Sequence, residues 1–254
     1  HVHLLGDTGS SKTSLGFAPL ATQLIAHADS TVIVVDLKGD KALFETCRLE
    51  AARTRKMRFR WFSNEVGKST FAFNPFLQTH NQQLSPEQLS QEILQGLSLN
   101  YGLGYGKGFF TAMNEIVLTN VLRHFPVRSF RELSGYLENR QLYSTIGFAQ
   151  DWNQSRHLAA LVGRLAAMEA INIVPGIKPA QPEILEHAID ARKLFESPQV
   201  IYLWLRSPQE PIGAPTIARL FLWALFTAAS HGGDGKYRAY IFIDEFQQII
   251  SEDI

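Results

Sequence analysis

Gly6-Asp7-Thr8-Gly9-Ser10-Ser11-Lys12-Thr13 is the stretch on which the fold turns. It follows the short apolar run Val2-His3-Leu4-Leu5 and opens a segment, Lys12 to Ala28, that reads as a helix despite Pro19. Strand, small-residue turn and helix are the context in which G-x-x-x-x-G-K-[ST] cradles a phosphate chain. The pattern is met except at Ser11, where the second glycine gives way to a residue small enough for the turn but less free in its backbone. In such a loop consecutive backbone N–H groups point inward, and the helix N-terminus adds partial positive charge. Lys12 would reach the β and γ phosphates, and the Thr13 hydroxyl would ligate Mg²⁺. The candidate nucleotide-binding residues are Gly6, Asp7, Thr8, Gly9, Ser10, Ser11, Lys12, Thr13 and the adjoining Ser14.

Outward from that loop, strand and helix patterns alternate. Thr31-Val32-Ile33-Val34-Val35-Asp36 is a continuous β-branched run, the signature of a strand covered on both faces. Asp40 to Lys56 reads as a helix and Met57 to Phe62 as the next strand. A βαβαβ order predicts a doubly wound, mainly parallel sheet. From Ser85 to about Ser197 the signals are helical. Ser85-Pro86-Glu87-Gln88 and Ser129-Phe130-Arg131-Glu132 both read as capping boxes. Phe109–Phe125 and Gln150–Asn172 read as long helices before Pro175, Pro179 and Pro182 break the chain. Strand character returns at Val200–Leu205, a very apolar helix follows from about Pro215 to Ala229, and Ala239–Asp244 is the last strand. The expected division is a nucleotide-binding part over 1–80, an all-helical insertion over 81–197, and a second nucleotide-binding part over 198–254.

The last strand carries the second motif. Tyr240-Ile241-Phe242-Ile243-Asp244-Glu245 is an apolar run ending in two carboxylates, the Walker B pattern. Asp244 would hold Mg²⁺ through a bound water, and Glu245 would orient or deprotonate the attacking water, making Glu245 and Lys12 the catalytic candidates. The helical insertion accounts for the 232-residue separation of Asp244 from Lys12. Gly67-Lys68-Ser69 is a decoy, since Phe62 stands where the first glycine belongs. The histidines show no metal-ligand spacing, and the single Cys47 excludes a disulfide framework. Lys plus Arg (24) cancels Asp plus Glu (24), so any nucleic acid would have to meet a local patch. The run from Arg48 to Arg60 holds six basic residues against Glu50 alone. A solvated helix end is the favoured reading of it, with contact to a DNA backbone as the alternative. No stretch of 18 apolar residues exists to span a membrane.

Taken together, these motifs resemble the conjugative coupling proteins of the TraG/TraD type. The resemblance rests on Gly6–Thr13, Val32 to Asp40 with its Asp-Leu-Lys-Gly-Asp ending, Phe73-Asn74-Pro75-Phe76, Val200–Leu205, Ile217-Ala218-Arg219-Leu220, and Asp244-Glu245-Phe246. It implies a RecA-like P-loop NTPase using ATP and Mg²⁺, with an all-helical domain inserted in it. It also implies a homo-hexamer anchored by membrane helices at the cytoplasmic face of the bacterial inner membrane. Such proteins bring a relaxase–DNA complex, with single-stranded DNA, to a type IV secretion channel. Asp36 and Lys38 would sit near the nucleotide. The chain opens at His1 without Met or a signal peptide, which reads as a piece of something longer. The resemblance implies further that this piece is soluble and C-terminally truncated, with the arginine finger and sensor expected past Ile254.

Two function classes follow: an ATP-driven DNA motor, or a nucleotide-gated docking platform for secreted substrates. HerA/FtsK-type and VirB-type translocation ATPases are alternatives within the motor class. In the full-length protein, Lys12→Ala is expected to remove a charge-assisted phosphate contact worth about 1.5–3 kcal/mol. Titration with a labelled ATP analogue checks this, and unchanged affinity and turnover would refute the phosphate-loop reading.

Overall fold

A computed structural model describes residues 12–54, 57–65, 68, 71–99, 107–139, 141–142, 156–176, 189–231 and 235–250. The expectations for Val2–Leu5 and for Gly6 to Ser11 lie outside the described residues. Among the described residues the protein has an α/β fold on a four-stranded, all-parallel sheet: β1 (Thr31–Asp36), β2 (Arg58–Ser63), β3 (Gln199–Trp204) and β4 (Ala239–Asp244), in the order β2-β3-β1-β4. Every residue of β1 is buried, as its β-branched run requires of a central strand. Asp36 lies opposite Trp204 on one side and Asp244 on the other, and Ser63 lies opposite Trp204. All four strands therefore end level, and their carboxyl ends form one rim.

Helices α1 (Ala18–His27), α2 (Lys41–Thr54), α3 (Pro86–Gly96), α4 (Lys107–His124), α5 (Phe130–Glu138), α6 (Arg156–Ala166) and α7 (Gly213–His231) cover the sheet or pack on its cover. Because side chains alternate along a strand, β1 and β3 feed two separate cores. Val32, Val34, Val200 and Tyr202 meet Ala21 and Ile25 of α1 and Leu43, Phe44 and Cys47 of α2. Ile33, Val35, Ile201 and Leu203 meet Ile217, Phe221 and Leu225 of α7. Ile93, Leu118, Leu133 and Leu165 of α3 to α6 continue this second core. The helical stretch is thus built onto the sheet's own hydrophobic layer.

Local detail refines the sequence reading. Thr13–Phe17 is a π-helical turn leading into α1, and the Ala18 N–H reaches the Thr13 carbonyl. Pro19 explains it: proline has no N–H for the Leu15 carbonyl, and a wider turn spares its ring the clash. The capping box at Ser85 and Gln88 is complete. The one expected at Ser129 is half formed. Ser129 accepts the Glu132 N–H, but the Glu132 carboxylate takes the Arg128 N–H at 2.7 Å and the Arg128 guanidinium instead. Ion pairing with arginine outcompetes a return bond to the backbone. Ala239–Asp244 matches its expected bounds, whereas the helix expected over Gln150–Asn172 ends early: α6 stops at Ala166 and a 3₁₀ turn, Glu169–Ile171, follows, while 150–155 lie outside the described residues. Among the described residues no helix is long and apolar enough to cross a membrane.

The contact that seats α3 on α7 depends on a missing side chain. A Cβ at Gly96 would lie 2.5 Å from Leu220 Cδ2 and 2.9 Å from the Leu220 Cα. Gly96→Ala is therefore expected to lower the unfolding free energy by about 1–3 kcal/mol, although alanine is the better helix former by about 1 kcal/mol. Denaturant unfolding checks the sign. An unchanged or higher stability would mean that the two helices can separate without cost.

Candidate functional site

Two aromatic rings bring the two motifs together. Phe17, at the end of the π-helical turn, packs edge-to-face on Phe242 of β4, with centroids 5.2 Å apart. Thr13 lies one helical turn before Phe17, and Asp244 lies two residues beyond Phe242 on the same face of the strand. The Thr13 hydroxyl consequently donates to Asp244 Oδ2 at 3.3 Å, across 231 residues of sequence. Lys12 already has helical backbone angles at the start of this turn. Ser14 is exposed beside it.

Asp36 ends β1, fully buried. Its Oδ1 accepts the N–H groups of Lys38 (3.0 Å) and Gly39 (2.7 Å), and its Oδ2 accepts the Asp40 N–H (2.7 Å) and the Tyr202 hydroxyl (2.7 Å). These bonds fold the Asp-Leu-Lys-Gly-Asp stretch into a fixed loop, with Gly39 at φ 76°. A side chain at Gly39 would also meet Arg206 and Trp204 of the neighbouring strand's end. Lys38 projects from the loop, exposed. Burial raises the Asp36 pKa, against the lowering effect of its hydrogen bonds, first among them that from Tyr202. Asp244 is raised too, by burial first and then by the negative charges of Asp36 and Glu245.

Glu245 adopts the left-handed conformation at φ 57°, a cost of about 1–2 kcal/mol for a side chain with a Cβ. Its N–H donates to Asp244 Oδ1 at 3.1 Å, and the Gln247 amide donates to its carboxylate. The residues after it form a 3₁₀ turn, Phe246–Gln248, rather than the start of an α-helix.

Thr13, Asp36, Asp244 and Glu245 thus share one rim, and Lys12 and Lys38 border it. A position outside the carboxyl ends of parallel strands, beside a helix N-terminus, is where α/β proteins bind phosphorylated ligands. Tyr202 and Gln247 belong to this rim but not to the residues expected from sequence. A tyrosine inside an apolar strand signals a buried polar tip, which is the clue Tyr202 offered. Gln247 offered none.

The remaining sequence features make local contacts, with Arg55 and Lys56 of the basic run outside the described residues. On α2, Arg48 pairs with Glu45 (2.7 Å) and Arg53 with Glu50 (3.2 Å), each a turn apart. Arg58 and Arg60 lie on the edge strand β2, where Arg60 sits over the Phe71 ring. Lys68 of the decoy motif is paired with Glu65. The buried Cys47 thiol is pushed up to about 12 by burial and by Asp36, so it is not a reactive thiol at neutral pH. Among the described residues no group of three or more His, Cys, Asp or Glu could hold a metal ion. A cation at Thr13 and Asp244 would need phosphate and water oxygens to complete its shell, as Mg²⁺ commonly does. Comparison of the sequence with protein-family models and with curated proteins gives no match.

The raised Asp244 pKa fixes the sign of a stability effect. A carboxyl whose folded pKa is raised ionises more readily when unfolded, so stability falls as pH rises from the ordinary value of 3.8 through the raised one. Asp244→Asn removes the ionisation and keeps an acceptor for Thr13. The variant is expected to be more stable than the parent at pH 7, with the difference vanishing below the ordinary carboxyl range. Thermal unfolding across pH checks this, and a variant less stable at pH 7 would show that the carboxylate is held by compensating charge.

Proposed function

We propose that this chain is the RecA-like ATPase core of a conjugative coupling protein, in which ATP hydrolysis drives transfer of DNA. The supporting observation is the Thr13–Asp244 hydrogen bond at the carboxyl rim of a parallel sheet. It joins residues that the phosphate-loop and Walker B readings expect to stand together. In this reading the Lys12 ammonium binds the β and γ phosphates, and Thr13 and Asp244 supply hard oxygen ligands for Mg²⁺. Bound Mg²⁺ would supply charge neutralisation on the phosphates. The donor set fits it: a hydroxyl and a carboxylate side by side, with Asp36 and Glu245 adding negative charge.

Glu245 orients the attacking water and accepts its proton. Its constrained backbone and its bond from Gln247 fix where the carboxylate starts. Asp36 acts beneath the site by holding the Lys38–Asp40 loop. The resemblance carries the wider reading: a homo-hexamer at the cytoplasmic face of the inner membrane that brings a relaxase–DNA complex to a type IV secretion channel. DNA-stimulated turnover of the full-length protein separates this motor from a docking platform. Glu245→Gln is expected to retain ATP binding while losing about 10²–10⁴-fold in turnover. Steady-state hydrolysis beside nucleotide titration measures both, and wild-type turnover in the variant would assign water activation to another group.

A further inference from the structure

Arg219, on the second turn of α7, is a half-buried cation that makes no ion pair among the described residues. Its hydrogen bonds go to neutral acceptors: Nε to the Gly96 carbonyl (3.3 Å), Nη1 to the Ile249 carbonyl (3.4 Å) and Nη2 to Thr216 Oγ1 (3.2 Å). Burial lowers its pKa, and a desolvated charge without a carboxylate calls for another source of negative potential. Both carbonyls supply it. Gly96 is the last residue of α3, and Ile249 caps the 3₁₀ turn that follows Glu245. Carbonyls at the end of a helix lack partners within it and carry partial negative charge.

The fork of the guanidinium therefore joins two helix ends that sequence keeps far apart. One is the loop that carries the candidate catalytic glutamate. The other is the end of the helix that Gly96 lets pack against Leu220, and through α3 it leads to α4. Ile249 is itself buried in the core shared by α3 to α7. We propose that Arg219 is a positioning residue. It holds the loop after β4 in register with α3, so that rearrangement of Glu245 and rearrangement of the helical layer are coupled. The ATPase part of this inference rests on the function proposed above; the clamp itself does not.

The test is amide hydrogen exchange on the nucleotide-free chain, with Arg219→Ala and Arg219→Lys. Loss of the clamp is expected to raise exchange by about tenfold at Gln248–Ile250 and at Leu97–Leu99, while Ile33 and Val34 in β1 stay protected. Lysine keeps the charge but cannot span two carbonyls, so Arg219→Lys is expected to raise exchange at one of the two sites at least. If Arg219→Ala loses protection in β1 as well, Arg219→Lys decides alone. In the full-length protein, kcat for ATP is expected to fall by about tenfold with KM within about twofold, the split of a group that acts only through the catalytic loop. Wild-type exchange at both sites in a folded variant would overturn the clamp. A changed exchange with unchanged kcat would overturn the coupling to catalysis. A wild-type protein that hydrolyses no ATP would remove the functional reading and leave the clamp to the exchange data.

Discussion

A carboxylate with no exposed surface stands at the centre of this molecule. Asp36 ends the central strand, and burying a charge there without partners would cost far more than a domain's net stability. Three consecutive-turn amides and the Tyr202 hydroxyl meet it. Those four bonds dictate the rest of the rim. They fold the Lys38–Asp40 loop and tie β1 to β3 through Tyr202. They also place a fixed negative charge beside Asp244 on the adjoining strand. Burial still raises the Asp36 pKa against those four bonds, next to the residues proposed to bind Mg²⁺. Natural sites commonly trade stability for such charge.

Packing completes what that carboxylate begins. Phe17 against Phe242 sets the height of the first helical turn over β4, and the Thr13–Asp244 bond follows from that height. On the other face of the sheet, Gly96 and Leu220 allow the close approach of α3 and α7. Neither contact is a site residue in the chemical sense. Both decide where site residues stand, since a displacement of an ångström in positioning can cost a large share of catalysis.

Much of this was legible in the chain. Thr31–Asp36 and Ala239–Asp244 are runs whose β-branched and apolar content points to strands of a parallel sheet, and both form over the expected residues; β1 is buried throughout, whereas β4 is half-buried. Thr13, Asp36, Asp244 and Glu245 could be singled out because each stands at the end of such an element. What could not be read were contacts set by three-dimensional approach. The Tyr202–Asp36 bond depends on the β1–β3 register, and nothing local to Tyr202 names its partner. Pro19 argued against a regular helix, but not for the π-helical turn that absorbs it. The Ser129 box looked complete because spacing alone does not reveal that Arg128 competes for Glu132. Arg219 entered the sequence reading only as part of the Ile217–Leu220 stretch, and its two carbonyl partners come from distant segments.

The central claim is that the start of the first helix and the end of β4 form one nucleotide–metal site. Paramagnetic broadening of backbone amide signals by Mn²⁺ with ADP tests this most directly, since Mn²⁺ accepts the same oxygen ligands as Mg²⁺. The account predicts strong broadening at Thr13, Asp244 and Glu245 that depends on nucleotide, with Thr31 and Ala239 at the opposite ends of the strands left sharp. Broadening centred elsewhere, or none at Thr13 and Asp244 with nucleotide present, would contradict it.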